Sequence, residues 1–129
     1  MKKQTEKIRI PKIAALIHDF ALASSVSLPM ELAMAAAQVT GHSLGSRGAV
    51  QLLSPDGGPV TTSGGLTINT QSINEVGQLD LLVIAAVWRD PRRVLARHPS
   101  LVPFIKKTIK QGAAVAAVGT GSFLLAETG

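Results

Sequence analysis

The feature that most constrains this chain is a break near its end. Residues 113–118, Ala-Ala-Val-Ala-Ala-Val, are small or β-branched with no polar interruption, the pattern of a buried strand. Gly119, Thr120 and Gly121 then stop the strand, and residues 122–127, Ser-Phe-Leu-Leu-Ala-Glu, open a helix. A strand that passes through glycines into a helix gathers free N–H groups and a positive dipole end at one point. Two chemistries use that layout, the nucleophile elbow and the phosphate-cradling loop.

Neither is complete here. An elbow carries Ser or Cys at its tip, and the tip is Gly119, which adopts the required backbone without strain and offers no nucleophile. A Walker loop needs Lys before the Ser/Thr, and residues 119–122 contain none. A dinucleotide fingerprint needs a third small residue where Leu124 stands. The plain alternative is that the glycines only let a strand turn tightly into a helix.

Composition removes further classes. The chain has 129 residues, enough for one domain with a real core, and 46% are apolar. It has no cysteine, which excludes disulfides, thiolate metal sites and thiol catalysis. His18, His42 and His98 lack ligand spacing, so neither metal nor cofactor is expected. Of the net charge of +5, the first dozen residues supply +4, from five cations (Lys2, Lys3, Lys7, Arg9, Lys12) against Glu6. Residues 1–11 are therefore expected to be a flexible basic leader. The apolar run at residues 13–17 is too short for a secretion signal, and nothing approaches the ~20 apolar residues of a membrane span. A cytoplasmic protein with no membrane partner is expected.

Along the chain, residues 12–17 read as a first buried strand. Residues 24–38 read as a helix with Ser27 as N-cap and Pro29 in its first turn; Leu28, Leu32 and Ala35/Ala36 would face a sheet, with Met30 and Met34 filling core. Residues 49–54 form a second strand, Pro55-Asp-Gly-Gly-Pro59 a turn, and residues 60–63 and 66–68 short extended pieces. Residues 69–76 read as a connector with one helical turn. Residues 79–87, without polar alternation, suit a central parallel strand. Asp90 and Pro91 then signal a helix start, and residues 100–111 an amphipathic helix closed by Gly112. Arg89, Arg92, Arg93 and Arg97 form either an anion patch or a solvated helix face. The alternation implies a mostly parallel sheet covered by helices on both faces, with ligands at the strands' carboxyl ends. Asp19 (beside His18), Trp88, Arg89, Gly119 and Thr120 lie at such ends and make one candidate crevice.

Ser54-Pro-Asp-Gly-Gly-Pro-Val60, Ser63-Gly-Gly-Leu66, Asp80-Leu-Leu-Val-Ile84 and residues 118–129 together resemble the amidotransferase-like domain of the DJ-1/PfpI superfamily. More narrowly, they are similar to its form at the N-terminus of AraC-type transcriptional regulators, and the resemblance covers residues 12–129. It implies a flavodoxin-like three-layer α/β sandwich, incomplete at the C-terminus. It places Gly119 where the superfamily's enzymes carry the nucleophilic cysteine, Ser25 where they carry an acid, and residues 85–88 where a glycine pair helps form an oxyanion site. Three departures at three catalytic positions suit a non-catalytic ligand-sensing or dimerisation domain; the alternative is an enzyme of the same superfamily, an amidase, peptidase or glyoxalase-like hydrolase. The resemblance further implies a small-molecule effector near Gly119 and Thr120, self-association, and DNA binding only through a helix-turn-helix domain absent from this chain, which reads as truncated.

Overall fold

The computed structural model describes residues 11–41 and 50–129. The leader through residue 10, His42 and the expected strand start at Ala49 lie outside the described residues. Six strands form one sheet: β1 (Ile13–Leu16), β2 (Val50–Ser54), β3 (Gly58–Thr61), β4 (Thr67–Ser72), β5 (Leu81–Ile84) and β6 (Ala114–Ala117). Their spatial order is β3-β4-β2-β1-β5-β6, parallel throughout except for the antiparallel β3–β4 hairpin. The helices are α1 (Ser24–Val39), α2 (Pro91–Arg97), α3 (Leu101–Lys110) and α4 (Ser122–Ala126). The mostly parallel α/β architecture expected from the alternation is present.

β1 sits at the centre, with Ile13 opposite both Val50 of β2 and Leu81 of β5. Its side chains divide between two cores. Ala14 and Leu16 join Leu53, Leu82, Ile84, Val94, Leu101, Ile105 and Leu124 on the face covered by α2, α3 and α4. Ala15 and Ile17 join Val26, Met30 and Val83 on the face covered by α1. Each fully buried Leu or Ile contributes about 1.5–3 kcal/mol relative to exposure.

Several local expectations are corrected. α1 begins three residues before Ser27, and its N-cap position, Ala23, makes no side-chain hydrogen bond. Pro29 therefore lies inside the helix, not at its opening. The buried side carries Ser25, Val26, Met30 and Ala37, whereas Leu28 and Leu32 are 57% and 61% exposed and Met34 is half-exposed. Because α1 is apolar on both sides, its sequence contains no phase from which the core face can be read. Residues 69–72, expected in a connector, belong to β4, whose alternating polar side chains suit a half-exposed strand. β5 ends at Ile84, earlier than expected, because the following residues turn to pair with the loop after β1. β6 is an edge strand with alternate residues exposed, not the buried strand its composition suggests. Ile109 of α3, placed on the apolar face by its spacing, is 42% exposed.

The helix starts at Asp90 and Gly121 follow the sequence closely. Asp90 accepts the Arg92 amide at 2.9 Å, with Pro91 at the first helical position. α2 and α3 are separated by only three residues. Both pack against α4, and α3 lays Leu101, Ile105 and Thr108 on the sheet.

Candidate functional site

At the strand ends the sheet order reverses between β1 and β5, where open α/β sheets place their ligand crevice. Here the protein's own backbone fills it. The loop after β1 runs antiparallel to the segment after β5, with Ala21 bridging Val87. The Leu22 amide donates to Ala86 O at 3.0 Å and the Trp88 amide to Phe20 O at 2.7 Å. Ser63 adds a third strap, donating its amide to Ala21 O at 3.0 Å.

Ser25 and Thr120 complete this seam. The buried Ser25 hydroxyl donates to Leu22 O at 2.6 Å and accepts the Ala86 amide at 2.8 Å. Thr120 Oγ1 accepts the Val87 amide at 2.8 Å and donates to Val87 O at 2.7 Å. Ser25 thus occupies the Ala86 amide beside the elbow, and Thr120, after the tip, occupies the Val87 amide. An oxyanion at this point would meet no free donor from Ala86 or Val87.

The two elbow glycines do different work. Gly119 has φ +49, the left-handed conformation of an elbow tip, but a Cβ there would meet only Ala86 Cβ, at 4.0 Å. Gly121 is locked by packing: a Cβ would sit 2.6 Å from Ala85 O and 2.9 Å from Ile84 O. α4, which follows, spans only five residues, so its dipole offers little to an anion. Trp88 and Arg89 lie exposed at the seam's edge, and Arg89 is in the left-handed region at φ +71. Such a conformation costs a non-glycine residue about 1–2 kcal/mol.

The structure therefore brings together Ser25, Trp88, Gly119 and Thr120, with Arg89 next in the chain. Asp19 is not among them. It lines a separate cleft of about 410 Å³ with His18, Ser54, Asp56, Arg97 and His98, between the end of β1, the β2–β3 turn and the end of α2. His98 donates through Nε2 to Asp19 at 2.9 Å, and Arg97 pairs with the other carboxylate oxygen at 3.1 Å. Burial acts to raise the Asp19 pKa, but the His98 hydrogen bond and the Arg97 charge outweigh it and hold the carboxyl below its ordinary value. The arginines do not pool into an anion patch: Arg92 pairs with Asp90, Arg97 with Asp19, and Arg93 and Arg97 lie over Phe20.

His18 is the residue that sequence reasoning placed at a strand end without a role. Only 1% of it is exposed. Nδ1 accepts the Phe20 amide at 3.2 Å, so the neutral ring carries its proton on Nε2. Among the described residues Nε2 meets no hydrogen-bond partner. Burial pushes the His18 pKa down to about 4; Asp19 opposes that shift and His98 adds to it. An unsatisfied buried donor of this kind costs about 1–3 kcal/mol. Among the described residues no cluster of His, Cys, Asp and Glu can hold a metal ion, and no helix is long and apolar enough to cross a membrane.

No protein-family model matches the chain. Over 79 residues it is 35% identical to the HTH-type transcriptional regulator CdhR of Pseudomonas aeruginosa, a match covering 60% of this chain and 23% of that protein. An AraC family transcriptional regulator from Pseudomonas putida superposes with a TM-score of 0.72 at 20% identity, covering 92% of this chain and 60% of the other. A DJ-1 superfamily protein from Agrobacterium tumefaciens superposes with a TM-score of 0.62 at 25% identity, covering 92% and 58%. The chain thus spans about a quarter of the curated relative and about three fifths of these solved chains. The flavodoxin-like DJ-1/PfpI fold implied by residues 54–60 and 118–129 is borne out by these neighbours, as is the likeness to AraC-type regulators.

Proposed function

We propose that this chain, whose fold is that of the DJ-1/PfpI superfamily and whose relatives include transcriptional regulators, is a non-catalytic sensing and dimerising module of an AraC-type regulator. The observation that carries this reading is the closed seam. Gly119 supplies no nucleophile, Ser25 supplies no acid, and the Ala86 and Val87 amides are bonded to Ser25 and Thr120. A regulator needs the fold as a platform, not the reaction, so filling the crevice costs it nothing. The competing reading, a hydrolase or glyoxalase-like enzyme of the superfamily, needs a base beside Ser122 or Thr120; Thr120 is instead clamped on backbone. Assays of the purified chain with methylglyoxal and with peptide and amide substrates are expected to show no turnover. Activity that survives purification and disappears in Ser122→Ala would overturn the reading.

The dimerising half of the proposal rests on α1. Leu28, Leu32, Ala35, Ala36 and Val39 recur at helical spacing on the side away from the core, and all are exposed. A helix that is apolar all round is ordinarily covered on both sides. Pairing two copies about a two-fold axis covers this stripe, and the two alanines allow close approach. Sedimentation is expected to show a dimer that Leu32→Glu converts to monomer.

In this reading DNA contact belongs to a helix-turn-helix domain outside these residues, as the name of the curated relative suggests. The cations are split between the basic leader through Lys12, Lys106, Lys107 and Lys110 on α3, and the arginines of α2. They give at most weak, salt-sensitive attraction. A gel-shift titration at near-physiological salt is expected to show no preference between promoter and scrambled DNA.

A further inference from the structure

We propose that the cleft between the β1 end, the β2–β3 turn and the α2 end is a binding site for a small uncharged molecule that presents a carbonyl oxygen to His18 Nε2–H. Two independent observations meet there. One is the cleft itself, about 410 Å³, at the carboxyl ends of two parallel strands and within the size range of small-ligand pockets. The other is His18, which lines the cleft and is almost wholly buried. With Nδ1 taken by the Phe20 amide, Nε2 is the ring nitrogen left over, and among the described residues no group reaches it. Native proteins rarely leave a buried donor without a partner, and when they do the missing partner is often a water or a ligand.

The surroundings select the ligand's charge. The Asp19 carboxylate already faces Arg97 at 3.1 Å and His98 at 2.9 Å, so that cation and that donor are spoken for. Asp56 adds a further negative charge at the exposed rim. A free carboxylate would meet one paired and one unpaired anion, whereas an amide or lactam carbonyl meets only the neutral imidazole N–H. Ser54 holds the wall, sharing a hydrogen bond with Thr70 at 2.6 Å and accepting the Gly57 amide at 3.0 Å. Nε2 is sealed from solvent, so a ligand reaches it only when neighbouring groups of the cleft shift.

Imidazole nitrogen NMR on histidine-labelled chain tests this directly. Titration with acetamide and with 2-pyrrolidinone is expected to move the His18 Nε2 resonance, with sodium acetate at least tenfold weaker. His18→Phe is expected to abolish binding of both carbonyl probes. No movement of His18 with either carbonyl probe would overturn the proposal, as would equal response to acetate. Undiminished binding of the carbonyl probes to His18→Phe would also overturn it. All these readouts are taken on His18 itself, so they stand or fall independently of whether the chain is a regulator's module.

Discussion

Two regions share the carboxyl rim of one sheet and have opposite polar accounting. At the elbow the buried hydroxyls and the Ala86 and Val87 amides are bonded internally: Ser25 to Leu22 and Ala86, Thr120 to both ends of Val87. At the end of β1, His18 is as buried as any core leucine and keeps a donor with no partner. The first region looks like an active site by sequence pattern and is built like a structural joint. The second has no motif and is built like a site. Motif geometry and available chemistry are separable properties, and only the second binds or reacts.

The sharpest way to break this comparison is at Gly121. If the elbow is a joint, Gly121→Ala should cost on the order of 3 kcal/mol or more, because its Cβ would press on the Ala85 and Ile84 carbonyl oxygens. Urea unfolding measures this; a loss below 1 kcal/mol would show that the strand–helix packing yields, and the joint reading would fail.

Acid comes next in size and addresses the other region. The His18 imidazole stays neutral in the fold down to about pH 4, but in the unfolded chain it takes up a proton near its ordinary 6.5. The unfolded state binds more protons between those values, so stability is full above about pH 6.5 and falls as the pH drops towards 4. The loss from this group totals about 3 kcal/mol. Asp19, held low in the fold, adds its own loss only as pH falls below its ordinary 3.8. Urea midpoints across pH 7 to 4 should therefore slope downward in the wild type and flatten in His18→Phe; parallel slopes would mean that His18 is protonated without penalty.

Ser25→Ala should be milder, about 1–3 kcal/mol, the cost of leaving the Ala86 amide unpaired. Amide exchange at Ala86 should accelerate in the same variant, and unchanged protection would mean that the seam does not depend on the hydroxyl. Gly119→Ala should be the smallest, about 1 kcal/mol from its left-handed backbone alone, since space exists for the methyl group. An effect equal to that of Gly121→Ala would erase the distinction between the two elbow glycines.

What was legible in the sequence follows from range. The Asp90–Pro91 helix start and the strand–glycine–helix break are set by adjacent residues, and both formed as read. The helical face of α1 was not legible, because Leu28, Leu32, Ala35 and Ala36 mimic the core stripe that Val26, Met30 and Ala37 supply. The second half of β4 was missed because residues 69–72, Asn-Thr-Gln-Ser, are polar enough to pass for a loop until β2 and β3 flank the strand. The seam and the His18 cleft depend on contacts that no local pattern encodes: Ser25 meets Ala86 across 61 residues, and Asp19 meets His98 across 79. A His-Asp pair at a strand end was the one signal available for the second region, and it named two residues of the cleft without their partners.

The central position of β1 also bears on how the chain reaches this state. Its partners arrive late: the Lys12 amide bonds Asp80 across 68 residues, and β5 aligns with β1 over the same span. Loop-closure entropy must be met before that parallel pairing returns any stability. Refolding should accordingly sit at the slow, millisecond-to-second end for chains of this size. During synthesis, β1 emerges tens of residues before β5 and must wait with one apolar edge bare. A chaperone that shields that edge in the interval should raise the yield of folded protein more than a stabilising substitution elsewhere.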